Sequence, residues 1–112
     1  MNPLTIGMSY VLRLPNNRIL GHVRIRAVED DWAEGSFEEE EAFADLRPLF
    51  EEEAQLRNDQ IIPLWEETAD RIEALRIQVV AENGKVHSHL RIFIEGEEAF
   101  LAPPIPTPHV GS

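Results

Sequence analysis

Residues 4–28 read LTIGMSYVLRLPNNRILGHVRIRAV, and their alternation decides the fold class. Leu4, Ile6, Met8, Tyr10, Leu12 and Leu14 point one way, while Thr5, Gly7, Ser9, Val11 and Arg13 point the other. That period of two belongs to a strand with one buried face. Pro15-Asn16-Asn17-Arg18 then supplies turn residues, and asparagine tolerates the positive φ a tight hairpin needs. A two-residue loop at Asn16-Asn17 predicts Leu14 opposite Ile19, Tyr10 opposite Val23, Met8 opposite Ile25 and Ile6 opposite Ala27. The reverse face then carries Arg13, Leu20, His22, Arg24, Arg26 and Val28. A slip of one residue would turn the whole apolar face to water, so pattern and turn support each other.

A second hairpin lies near the other end. Ile77, Val79 and Ala81 alternate with Arg76, Gln78 and Val80, and Asn83-Gly84 is a strong hairpin signal. This loop predicts Ala81 opposite Val86, Val79 opposite Ser88 and Ile77 opposite Leu90, with Ile92 and Ile94 continuing the apolar face. Lys85, His87, His89, Arg91 and Phe93 fall on the reverse face. After a turn at Glu95–Glu98, Ala99-Phe100-Leu101 reads as a short final strand. The chain therefore reads as a single domain over 1–102 and a proline-rich, extended tail over 103–112. The tail's Pro103-x-x-Pro106 resembles a ligand for aromatic grooves.

Between the hairpins, Glu29–Glu73 holds 17 of the 21 carboxylates and three of the ten Lys and Arg residues, a formal −14 against +3 for the flanks. Trp32–Phe37 reads as a short strand, because a helix begun at Phe37 would meet Pro48 in its interior at a cost of about 3 kcal/mol. Phe43, Leu46, Leu49/Phe50 and Ala54 then recur at helical spacing, as do Ile61, Leu64/Trp65, Thr68/Ala69, Ile72 and Leu75. Two amphipathic helices follow, roughly 42–57 and 60–75, with Asp59 as cap of the second and the Glu and Asp side chains outward.

Hairpins with one apolar face and helices with one apolar stripe cover each other. The expected fold is α+β: a two-layer sandwich of an antiparallel sheet, built from the terminal hairpins, under two central helices. The open sheet face would gather seven of the ten basic residues with His22, His87 and His89, opposite an acidic helical layer.

The absence of cysteine excludes disulfides, thiol catalysis and cysteine-ligated metals. A net charge of −11 argues against a dedicated nucleic-acid binder and favours basic partners. No apolar run is long enough to span a membrane. Met1-Asn2-Pro3-Leu4 lacks a secretory pattern, so a cytoplasmic location is expected. No Gly-rich phosphate loop or nucleophile elbow is present. The glutamate runs fan around their helix rather than converging as i, i+4 ligand pairs. Three histidines on one face could hold zinc, but the arginines around them repel a cation. No cofactor, metal or catalytic set is expected.

Three readings follow. The first is a non-enzymatic adaptor, homodimeric through Val11, Leu20, Val28, Val80 and Phe93 on the open sheet face, offering acidic helices to a basic protein. The second is a binder of small anionic ligands, or an enzyme acting on them, using His22, Arg24, Arg26, His87, His89 and Arg91. It requires a sheet that curls until these side chains share a pocket. The third is an acidic mimic of nucleic acid.

Overall fold

A computed structural model describes residues 4–30, 32–88 and 90–102. Among the described residues seven strands form one antiparallel sheet: β1 (Ser9–Arg13), β2 (Ile19–Val28), β3 (Ala33–Glu39), β4 (Gln78–Ala81), β5 (Val86–His87), β6 (Arg91–Glu95) and β7 (Glu98–Ala102). Their order across the sheet is β5-β4-β1-β2-β3-β7-β6. A 3₁₀ turn at Glu41–Asp45 leads into α1 (Arg47–Asn58) and α2 (Ile62–Glu73). The fold is α+β, with the sheet curled around a core that the helices close. The expected Pro-rich tail lies outside the described residues.

The core follows from side-chain alternation. Tyr10, Leu12, Val23, Ile25, Ala33, Phe37, Val79, Ile92, Ile94, Ala99 and Leu101 are buried on the inner sheet face, and Phe43, Phe50 and Ile72 pack on them from the helical side. Phe43 bridges the layers, its ring 5.0 Å from that of Phe37 and 5.4 Å from that of Phe50. Burial of such aromatic side chains contributes roughly 2–3 kcal/mol each.

Both helix starts are set by proline. Pro48 and Pro63 sit in the first turns of α1 and α2, where no amide donor is required. The helix expected from residue 42 is therefore divided, a 3₁₀ turn carrying Phe43 before α1 begins at Arg47. Asp59 closes α1 rather than opening α2, whose cap is Ile61.

Both hairpins differ from expectation in one respect, and it is the same one. The loops have three residues, not two. Leu14 N–H donates to Arg18 O at 2.9 Å, and Ala81 N–H donates to Lys85 O at 2.9 Å. The third loop residue is left-handed in each, Asn17 at φ 70° and Gly84 at φ 86°. The middle asparagine accepts from the N–H two residues on, Asn16 from Arg18 at 3.1 Å and Asn83 from Lys85 at 2.9 Å.

In the first hairpin this one-residue offset is cancelled. Arg13 pairs with Ile19, but Leu12 pairs with Gly21, so Leu20 is the extra residue of a β-bulge. Beyond it the expected register holds, Tyr10 opposite Val23. A second bulge against β3 makes Arg26 the extra residue, so that Val28 pairs with Ala33. Two expected placements are thereby corrected: Leu20 is fully buried, and Val28 packs against the core rather than on the open face. The start of the chain is corrected as well. It turns at Ile6-Gly7, so the strand begins at Ser9, and Ile6 and Met8 are exposed.

In the second hairpin nothing cancels the offset. Val80 pairs with Val86 and Val79 with His87, so Val86 faces outward and His87 inward, the reverse of expectation. The segment expected to continue as one strand then divides. After β5 the chain crosses to the far edge of the sheet, where β6 pairs with β7.

Candidate functional site

The curl leaves a gap between β4 and β6, and α2 spans it. The result is a cavity of about 1090 Å³. Trp65 and Ile72 of α2, Ile77 before β4 and Ile92 of β6 supply apolar wall, and Arg91 and Phe93 of the edge strand β6 line it too. Charged side chains, Glu66, Asp70, Glu73 and Arg76 among them, share the lining with these apolar groups, so the cavity is of mixed character.

One buried polar cluster braces this wall. Glu53 of α1 is fully buried. It accepts hydrogen bonds from Arg57 Nε at 2.8 Å, Arg57 Nη2 at 3.3 Å and Trp65 Nε1 at 2.8 Å. Its place in the run Glu51–Glu53 predicts an outward side chain; the structure corrects this. The missed signal was Arg57, one helical turn on, which neutralises a carboxylate lying on the same stripe as Phe50 and Ala54. The hydrogen bond from Glu53 raises the Arg57 guanidinium above its ordinary pKa, against an opposing effect of burial, and the charges of Glu53 and Glu95 add to the rise. Removing Glu53 alone would strand Arg57 and cost roughly 3 kcal/mol, the lower end for a broken buried pair because Arg57 is partly exposed.

Arg57 continues the cluster to the edge strand, with its Cζ 5.3 Å from the Phe93 ring centroid. Arg91 Cζ lies at the same distance. Two guanidinium groups share one aromatic ring, each contact worth about 0.5–1 kcal/mol. Arg91 Nε is buried and has no hydrogen-bond partner among the described residues. A buried N–H left unpaired costs about 1–3 kcal/mol, so an acceptor entering the cavity at this point removes a penalty.

Of the described residues expected to form a ligand site, Arg91 lines the cavity, and His22, Arg24, Arg26 and His87 are not among its lining residues. His22 is on the outer face, 3.0 Å from Glu40. Arg24 is exposed on the same face, and Arg26 reaches Glu34 at 3.2 Å and Glu98 at 3.8 Å. His87 is on the inner face, its ring 6.0 Å from that of Tyr10 and edge-on to it. Burial lowers its pKa first, and the charge of Lys85 lowers it further. His22 and His87 therefore do not share a face, and His89 lies outside the described residues. Among the described residues no three His, Asp or Glu side chains gather as a metal-ligating group.

The open face is not the basic surface expected. β3 and β7 stand beside β2 and bring Glu34, Glu38 and Glu98 onto it. Val11 and Val80 face outward, opposite each other on β1 and β4, whereas Phe93, expected beside them, lines the cavity and lies under Arg57 of α1. Among the described residues no helix is long and apolar enough to cross a membrane.

No protein-family model matches the chain, no curated protein matches its sequence, and no solved structure matches its fold.

Proposed function

We propose that the protein is a binding module for a small molecule that joins one carboxylate, or a similar anionic acceptor, to an apolar body. The ligand would occupy the cavity between α2 and β6. The observation that carries this reading is Arg91, whose buried Nε lacks a partner among the described residues and lies beside the apolar side chains of Ile92 and Phe93 in a cavity of mixed lining. Glu66, Asp70 and Glu73 of α2 stand along the same cavity and outnumber its cations Arg76 and Arg91, which disfavours a polyanion. Calorimetric titration with a series of carboxylates of growing apolar body, each beside its neutral amide, tests it. Affinity should rise with apolar size, fall on replacing acid by amide, and fall about tenfold or more in Arg91→Met. Equal binding of acid and amide, or unchanged binding in Arg91→Met, would remove the proposal.

A second reading, self-association through the outer sheet face, is supported by a row of valines. Val11, Val80 and Val86 stand directly opposite one another across β1, β4 and β5. Light scattering should then show a dimer at high micromolar concentration that Val80→Glu abolishes. A strict monomer ends this reading.

A further inference from the structure

The turn between α1 and α2 is a second candidate site, whose apolar residues Ile61–Leu64 are not among those lining the cavity. Ile61, Ile62, Pro63 and Leu64 are four consecutive apolar residues, and all are exposed, with Ile62 at 50% and Leu64 at 53%. The amphipathic pattern assigned Ile61 and Leu64 to the core stripe, yet the stripe is buried only from Thr68 onward. A run of this length facing water is unusual in a helix without a bound partner.

The backbone beneath the run is fixed. Ile61 N–H donates to Leu56 O at 3.0 Å and Gln60 N–H donates to Arg57 O at 3.2 Å, the paired bonds of a Schellman turn. The left-handed position falls on Gln60, at φ 58°, where glycine is usual. Pro63 stiffens the next turn. The four side chains thus stand on a short, pre-ordered knob, which lowers the entropy a partner must overcome on docking.

Charge selects among possible occupants. The exposed residues around and behind the knob are Asp59, Glu66, Glu67, Asp70 and Glu73. The single cation among residues 59–73 is Arg71, which lies 3.9 Å from Glu52. Two copies meeting knob to knob would bring these carboxylates together, and an anionic lipid surface would be repelled. A segment with apolar residues flanked by Lys or Arg satisfies both the apolar run and its acidic surround.

We propose that Ile61–Leu64 is a docking knob for a basic, amphipathic segment of another protein. The probe is a synthetic helical peptide with leucine on one face and lysine on the other, added to isotope-labelled protein and followed by amide chemical shifts. The largest shifts should fall on Ile61–Leu64. An otherwise identical peptide with glutamate for lysine should not bind. The double variant Ile62→Ser, Leu64→Ser keeps every charge and should weaken the lysine peptide about tenfold. Unchanged binding in that variant would mean attraction to acidic surface alone and would overturn the proposal. So would an absence of binding, binding to vesicles of anionic lipid, or a knob-dependent dimer of the protein itself. Ile61–Leu64 do not line the cavity, although Glu66, Asp70 and Glu73 border both sites, so the Ile62→Ser, Leu64→Ser variant tests the knob while Arg91→Met tests the cavity.

Discussion

The two hairpins begin from the same turn and end differently. Each has a three-residue loop, a left-handed third residue and an asparagine accepting from the N–H two positions on. That loop shifts each pairing by one residue from what a two-residue loop gives. In β1–β2 the bulge at Leu20 restores the shift, and the long strand β2 goes on to pair with β3 over its length. In β4–β5 no bulge intervenes, pairing stops after two residues, and the chain leaves for the opposite edge. A turn therefore sets the local offset, but the neighbours of a strand decide whether that offset is kept. β2 lies between two strands and has a fully apolar face to satisfy, whereas β5 is an edge strand with a neighbour on one side.

The largest effect should come from the residue that restores the register. Leu20→Ala empties a fully buried position and should cost roughly 2–5 kcal/mol in urea unfolding. A loss under about 1 kcal/mol would mean that the bulge can relocate and that the register is not held there. Gly21→Ala should come next. A Cβ on Gly21 would lie 2.5 Å from the Phe37 ring and 2.6 Å from the Glu38 carbonyl oxygen, and backbone cannot yield easily. A cost of about 1–3 kcal/mol is expected, checked by the same unfolding curves.

The turns themselves should differ by less. Gly84 has open space around its missing side chain, so Gly84→Ala meets backbone strain alone and should cost about 1 kcal/mol. Asn17→Gly relieves a left-handed asparagine while loosening the unfolded chain, and its melting temperature should stay within a few degrees of the parent. Equal losses at the two sites would contradict the view that they are one turn built with different residues.

The smallest effect concerns His87, which the uncorrected offset turns inward. Its folded pKa is depressed by burial and by Lys85, so the unfolded chain binds the proton more readily. The stability it contributes is complete above the ordinary histidine value of about 6.5 and is lost as pH falls through the lower folded value. Across that window the wild-type protein should lose slightly more stability than His87→Gln. The histidine ring signals followed by NMR should place the His87 midpoint below the ordinary value; a midpoint above it would contradict the burial that lowers it.

The inner face was legible where alternation ran unbroken. Tyr10, Leu12, Val23, Ile25, Ile92 and Ile94 are buried as their spacing requires, and the helical stripe through Phe43, Phe50 and Ala54 is buried too. The candidate site was legible in part. Arg91 belonged to the expected ligand set, but the cavity it lines joins α2 to a sheet edge, and no local pattern encodes that meeting. Glu53 was hidden by its neighbours Glu51 and Glu52, which look identical in sequence and remain exposed.

Composition, alternation and helical spacing by themselves determined an α+β chain with two hairpins around two acidic helices, because face and period are properties of consecutive residues. The tertiary structure alone decided the strand order, the bulges at Leu20 and Arg26, the separation of β5 from β6, and the mixing of Glu34, Glu38 and Glu98 among the arginines. Those depend on which strands become neighbours. That choice balances burial over the whole core, through contacts between residues far apart in the chain.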